Sequence, residues 1–441
     1  MRLTNVAQMD LVTGRVFSYG VRAVGGPGRA LPVSFDQARH VSGGDRPGSW
    51  MAIAFRLPEV DVAPETVAAA WDAVVERHHT LRTAFSFAAD GAIELHEIAV
   101  EPGELSEHVV IDGQRTREVV RAVLDARCTP LSRPSHHLCL VVPPPGAPDP
   151  RPEVVIGSDH AHVDMWSLMV LSQELLSCLE DLREGRGPGS DLPSPPAFAE
   201  HTTILESMPP APVEVHERWA DIMDAGEGDM PLFPLPLGDL VPAPAEVVEV
   251  RDVLDVDGLA RLDALARDRG VRLIALGLSV LTEVTADRSG RTLRAVFPVH
   301  SRNDPRWREA VGWFITNAVI ESADPAPVAC IAAVEEATGL GSWPLAPIFA
   351  PRGGMPSPPG MFAISWLDAR RMPVPAGPDT ELKYVSAAIR TDGVMIWFAV
   401  NSAGLHLRCR YPDTPEAREH VGGWLDAVEA GLRALASPGA G

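Results

Sequence analysis

A chain of 441 residues, 46% hydrophobic and 22% charged, has the composition of an ordinary folded protein and exceeds what one core usually fills, so two similar lobes are expected. Its formal net charge of −21 argues against a nucleic-acid groove and against an anionic membrane as partner, since both need clustered Lys and Arg. Lys383 is the single lysine, so positive charge is almost all arginine, a compositional bias that carries no functional message.

The N-terminus shows no basic patch followed by an apolar core, and no stretch reaches about eighteen uninterrupted apolar residues, which predicts a cytoplasmic protein. Cys128, Cys139, Cys178, Cys330 and Cys409 are scattered and never form a Cys-x-x-Cys pair, as expected of reduced thiols. Met1 to Leu31 mixes short apolar pieces with Gly25-Gly26-Pro27-Gly28 and reads as an extension packed on a lobe or partly mobile.

Pro32 to Arg39 reads as a loop entering a short helix, capped by Ser34 or Asp36. Met51 to Leu57 is a buried strand by its continuous apolar character. Pro64 opens a helix whose apolar positions Val67, Ala70, Trp71, Val74 and Val75 recur at three and four residues, ending near Arg77-His78-His79, and Leu81 to Phe87 returns as a strand. Residues 115–127 have helical spacing, and Leu138 to Val142 is another strand. His136-His137 precedes it; with no helix-borne ligand motif nearby, the pair does not make a zinc site, and no metal is expected.

Val154-Val155-Ile156 then delivers the loop Ser158-Asp159-His160-Ala161-His162-Val163-Asp164-Met165-Trp166-Ser167, followed by an apolar-periodic helix to Leu179. The spacing His160-x-x-x-Asp164 lets the carboxylate orient the loop while the imidazole faces a substrate as a base titrating near neutrality. It equally suits a helix-capping Asp164 and a satisfied core His160. His162 can line the same site.

Gly185 to Pro196 is a long break rich in Gly, Ser and Pro, and it divides the chain into a lobe over 1–185, a linker over 186–197 and a lobe over 198–441. A helix begins at Phe198, and Trp219 sits on a following one. Met230 to Leu237 is interrupted by prolines at a density that forbids a regular helix or central strand, so it reads as an extended crossing segment. Residues 246–254 are strand-like, 257–269 and 272–285 helical, and Leu293 to Val299 a strand ending in His300-Ser301-Arg302. Val394 to Val400 and Leu405 to Tyr411 flank the turn Asn401-Ser402-Ala403-Gly404, and Pro415 opens an amphipathic helix to about Leu435.

Several of these stretches resemble motifs of the condensation-domain superfamily, which includes nonribosomal peptide condensation domains and polyketide-associated acyltransferases. Arg77 to Phe85 matches its Arg-His-x-x-Leu-Arg-Thr-x-Phe motif residue for residue, and Ser34 to Arg39 its Ser-x-x-Gln-x-Arg. The central loop is similar to the His-His-x-x-x-Asp-Gly core: His160 and Asp164 match the second His and the Asp, while Asp159 replaces the first His and Met165 the Gly. Val311 to Asn317 resembles Val-Gly-x-Phe-x-Asn with Asn317 shifted by one. The resemblance runs from about Ser34 to Leu435.

It implies an α/β protein of two stacked chloramphenicol-acetyltransferase-like lobes with an active-site tunnel between them, and a free-standing acyltransferase. The donor would be a thioester on the phosphopantetheine arm of an acyl or peptidyl carrier protein, or on coenzyme A, with no other cofactor, and the acceptor a small amine or alcohol. His160 would be catalytic, Asp164 and Arg302 a cross-lobe ion pair, Asp159 a loop-holding or substrate-orienting group, and His162, Trp166, Ser167, Trp313 and Asn317 tunnel-lining candidates. Arg77 and Arg82 would fix a helix-to-strand turn. No activated Ser or Cys is needed, and no Gly-x-Ser-x-Gly elbow is present. Two alternatives stay open: a heterocyclisation-type domain, whose Asp-x-x-x-x-Asp-x-x-Ser pattern Asp159, Asp164 and Ser167 fit, and a non-catalytic carrier-docking module.

Overall fold

Every residue of the strand Glu153–Asp159 is buried, because it lies in the middle of a sheet with a neighbour on each edge. The computed structural model describes residues 2–111, 113–372 and 380–437. Within them the chain forms two units: Met1–Ser207 with Arg302–Phe314 and Met372–Ala388, and Met208–Ser301 with Ile315–Arg371 and Ile389–Gly441. The chain therefore stays in the first unit beyond the expected linker at 186–197, and two later segments return to it. The outer ends of the two expected lobes, Met1 and 438–441, lie outside the described residues.

The first unit carries a seven-stranded sheet in the order Arg2–Asn5, Lys383–Ser386, Trp50–Arg56, Glu153–Asp159, His136–Val142, Arg15–Tyr19, Ser106–His108. Only the first pairing is parallel. The expectation that Met1 to Leu31 is an appended extension is corrected here: Arg2–Asn5 and Arg15–Tyr19 are strands of this sheet, with Val16, Phe17 and Tyr19 buried. Lys383 explains how its four-residue strand docks. Its Nζ donates to Glu153 Oε1 and to Asp10 O, both at 2.7 Å, and gives the fully buried Glu153 carboxylate its counter-charge.

Five helices of this unit matter for the site. α1 (Phe35–Val41) starts in a capping box in which Ser34 and Gln37 satisfy each other's backbone N–H groups, so Ser34 is the cap. α2 (Pro64–Arg77) has proline in its first turn and buries Val67, Ala70, Trp71, Val74 and Val75. α3 (Thr116–Arg127) and α4 (Met165–Arg183) follow, with α2 packed on α4, and α5 (Phe198–Glu206) closes the run. Arg77 does more than hold a local turn. It pairs with Glu174 of α4 at 2.8 Å and donates to the carbonyls of Leu192 and Pro193, tying α2 to the Pro-rich segment.

The second unit carries a six-stranded mixed sheet in the order Glu246–Leu254, Gly404–Pro412, Val394–Asn401, Phe362–Asp368, Leu293–His300, Ile315–Ser322. The helices Leu273–Ser289 and Pro415–Leu435 pack together over it, the latter capped by Thr414. Met230 to Leu237 is extended, as its prolines require: Leu232 bridges Met361, and Phe233 N donates to Gly360 O at 2.9 Å. All five cysteines are free and buried. Among the described residues, no helix is long and apolar enough to cross a membrane.

Candidate active site

Asp159 ends its strand, and the following loop is knotted by its own hydrogen bonds. His162 N donates to Asp159 O at 3.0 Å, Ala161 N to Asp159 Oδ1 at 2.9 Å, and His160 N to Ser49 O at 3.2 Å. From α1, Gln37 Nε2 donates to Ala161 O at 2.8 Å, which is what the glutamine of the Ser34–Arg39 segment does. The loop ends at Asp164, whose carboxylate accepts from Ser167 N at 2.7 Å and caps α4.

His160 is thereby fixed in position and in tautomer. Its Nδ1 donates to Val163 O at 3.0 Å, leaving Nε2 with its lone pair. The ring lies on Trp313, centroids 4.0 Å apart and planes at 23°. Burial, and then the charge of His40, pull its pKa below the ordinary value, while Asp159 and Asp164 push the other way. Such a group is an acceptor of protons at neutral pH.

Asp164 and Arg302 meet as an ion pair at 3.0 Å, both 1% exposed at the side chain. The pair does not join two lobes: Arg302 belongs to the segment 302–314, which is part of the same unit as Asp164. Asp164 also accepts from Ser167 Oγ at 2.7 Å and Phe314 N at 3.1 Å, so its lone pairs are all engaged. Arg302 in turn donates to Trp307 O and Ala310 O at 2.6 and 2.7 Å and lies 3.9 Å over the Phe314 ring. Ser167 Oγ is 2.8 Å from Arg302 Nη2, 3.0 Å from Gly312 N and 2.9 Å from Gly312 O. Gly312 has to be glycine, because a Cβ there would stand 2.4 Å from the Phe198 ring. These bonds stitch 312–314 to the start of α4 and so lay Trp313 on His160.

Of the other expected residues, Trp313 stacks on His160. Ser167, expected to line a substrate channel, is fully buried and bonded throughout. His162 is 2% exposed with its ring edge-on to Phe85, 5.2 Å away, so it belongs to the core and its pKa is pushed down to about 4, chiefly by burial. Trp166 donates from Nε1 to Arg308 O at 2.8 Å and lies under Arg302. Asn317 is a half-buried strand residue of the second unit, opposite Pro298. His136 and His137 do not pair as ligands: His136 Nε2 donates to Leu81 O at 3.0 Å, and among the described residues no three His, Cys, Asp or Glu side chains converge on a metal position.

The residue that sequence reasoning passed over is His40, one position beyond the Ser34–Arg39 segment. Its Nε2 lies 3.1 Å from both oxygens of Asp159. Asp159 is fully buried and also accepts from Ser49 Oγ. Burial works against its charge, but the hydrogen bond and charge of His40 and the hydroxyl of Ser49 hold its pKa below the usual carboxylate value. An imidazole six residues past the capping Ser34, nearly two turns along the helix that reaches the loop, was the available signal.

No family model matches the chain. Acyltransferase PapA3 of Mycobacterium tuberculosis is 24% identical over 436 residues, spanning 93% of this chain and 90% of that protein. Along nearly its whole length the chain is thus similar to an acyltransferase. Solved structures share its α/β fold: the PapA2 acyl transferase superposes with a TM-score of 0.85 at 20% identity, covering 99% of this chain and 100% of that one. The first condensation domain of the calcium-dependent antibiotic synthetase gives 0.72 at 14% identity, covering 94% and 98%. Against the condensation-domain motif, this chain keeps His160 and Asp164 and departs at the residue before His160, where Asp159 is bonded to His40.

Proposed function

We propose that this condensation-superfamily chain is an acyltransferase that moves an acyl group from a thioester to a small amine or alcohol, with His160 as the base. The observation that carries the reading is the state of His160: Nδ1 is committed to Val163 O, Nε2 keeps its lone pair, and the ring is held flat against Trp313. The full-length likeness to PapA3, named an acyltransferase, supports the same reaction class.

The chemistry needs only one such group. As the acceptor nitrogen or oxygen attacks the thioester carbonyl, its proton passes to His160 Nε2; collapse of the tetrahedral intermediate breaks the C–S bond, and the imidazolium returns the proton to the departing thiolate. A thioester is already activated, so no covalent enzyme intermediate is required. The nearby likeness to condensation domains favours a carrier-protein phosphopantetheine thioester as donor, with coenzyme A as the other source. The pattern shared with heterocyclisation domains supplies no second catalytic group, because Asp164 and Ser167 are fully engaged in holding 312–314 and Asp159 in holding His40.

Single-turnover assays with an acyl-loaded carrier protein and excess acceptor test this, run beside the same acyl group on coenzyme A. Transfer by the wild type and a loss of at least about a hundredfold in His160→Ala, with unchanged folding, is the expected result. Carrier binding without any product would show a docking module instead, and an undiminished rate in His160→Ala would remove the base from the reaction.

A further inference from the structure

His40, Trp313 and His160 form a triangle of rings. His160 stacks face to face on Trp313, and His40 meets the same indole edge-on, with centroids 5.4 Å apart and planes at 73°. The two imidazoles are 6.1 Å from one another. His40 is held at both nitrogens: Nε2 donates to the Asp159 carboxylate, and Arg46 Nη2 approaches Nδ1 at 3.4 Å while donating to His40 O at 3.1 Å. Asp159 in turn is fixed by Ser49 Oγ and Ala161 N, and its own backbone opens the loop that carries His160. The side chain of His40 is 13% exposed and that of Asp159 fully buried, so the bond between them is shielded from competing water.

We propose that His40, clamped between Asp159 and Trp313, is a positioning residue for His160, and that α1 supplies through it the second imidazole which the loop has exchanged for Asp159. Asp159 alone is a buried anion one residue from the base. With His40 bonded to it, that carboxylate has a donor of its own, and His40 braces the indole of Trp313 from the side, roughly at right angles to the direction in which the His160 ring stacks on it. The two changes depend on one another: an aspartate here without an imidazole on α1 would leave an uncompensated charge, which is costly in a buried site. The inference rests on His160 being the working base, and it adds that the quality of that base is set from α1.

The charged and titratable groups around the pair are Asp159 and His162 of the loop, Arg46 beyond the end of α1, Asp164 at the start of α4 and His160 itself. His40 lowers the proton affinity of His160 and Asp159 raises it. Removing His40 takes away the lowering partner and leaves Asp159 unpaired, so both effects drive the His160 titration to higher pH.

The experiment follows His160 directly by NMR of histidine-labelled protein, with its signal assigned by its disappearance in His160→Ala, alongside the single-turnover assay. His40→Ala is expected to raise the His160 titration midpoint and to slow transfer by about ten- to a hundredfold, less than loss of the base itself. His40→Gln keeps a donor to Asp159, folds even if His40→Ala does not, and should recover part of the rate. The double variant His40→Leu with Asp159→His, which returns the second imidazole to the loop, should be more active than either single variant. An unmoved His160 titration in His40→Ala, or additive losses in the double variant, would overturn the proposal. If His160→Ala transfers at the wild-type rate, His160 is not the base and that part of the proposed function fails, yet the NMR midpoint still decides whether His40 governs His160.

Discussion

Trp313 lies face to face on His160 at a centroid distance of 4.0 Å, although the indole and the imidazole come from segments about a hundred and fifty residues apart. The placement comes from Asp164 and Ser167, which hold Phe314 N and Gly312 by hydrogen bonds on either side of Trp313.

Replacing Trp313 therefore tests orientation separately from basicity. An aromatic stack is worth about 0.5–1.5 kcal/mol, so Trp313→Ala should slow transfer by up to about tenfold while Trp313→Phe keeps most of the rate. Single-turnover rates at saturating acceptor would check this. Equal rates in Trp313→Ala and wild type would mean that the stack does not position the base.

Asp164 and Arg302 should behave as architecture. Removing one partner leaves the other charge buried and unpaired, at a cost of about 3–5 kcal/mol, so Asp164→Ala and Arg302→Ala should each unfold at lower denaturant and also lose activity. Near-ultraviolet circular dichroism adds a second readout, since 312–314 carries Trp313 and should loosen in both variants. An Asp164→Ala protein that is inactive but as stable as wild type would assign Asp164 to the reaction.

Acid sensitivity should come from buried neutral histidines. Burial first of all holds His136 and His162 at about 4 and His137 at about 3, well below the ordinary histidine value of about 6.5. Below about 6.5 the unfolded chain takes up protons that the folded chain refuses, so stability falls as pH drops from about 6.5 to about 4 for His136 and His162, and on to about 3 for His137, and the histidine contribution levels off beneath. His162→Phe, facing Phe85, should flatten that slope. Denaturant titrations at pH 4.5 and pH 7, taken as about the ends of the window, measure it; an unchanged slope would mean that His162 is not held neutral by the fold.

The rate profile should show the same sign at the base. With the His160 pKa depressed by burial and by His40, kcat/KM should rise through an apparent pKa below about 6.5 and be flat at neutral pH. A rise centred well above that value would show that His160 is charged in the resting enzyme.

Local rules were enough for much of this fold. Pro64 and Pro415 each sit in the first turn of a helix, and the apolar spacing carried those helices to Arg77 and Leu435. The positions of His160, the capping aspartate and its arginine were also legible, because the motif spacing is short and Arg302 follows a clear strand. What escaped was set by distant partners. The strand Lys383–Ser386 has only four residues and is defined by its pairing with Trp50–Arg56, and the first nineteen residues contribute strands whose neighbours lie far along the chain. His40 and Asp159 are separated by 119 positions, so neither announces the other. Ser167 looked like a site residue because it lies close to the base in sequence, but α4 turns it into the core. The helix Pro327–Leu340 was overlooked despite the proline that opens it and Gly341 beyond its end.

Lys383 gives the protein a built-in gauge of local opening. It is the chain's single lysine, and its Nζ is already bonded to Glu153 and to the Asp10 carbonyl, with the side chain 15% exposed. An amine-reactive probe can modify that side chain rapidly only when the strand Lys383–Ser386 lifts away from Trp50–Arg56. The labelling rate of this one residue, followed by mass spectrometry of a single peptide, thus reports how often the two strands at this end of the sheet, Arg2–Asn5 and Lys383–Ser386, part from Trp50–Arg56, without any introduced reporter.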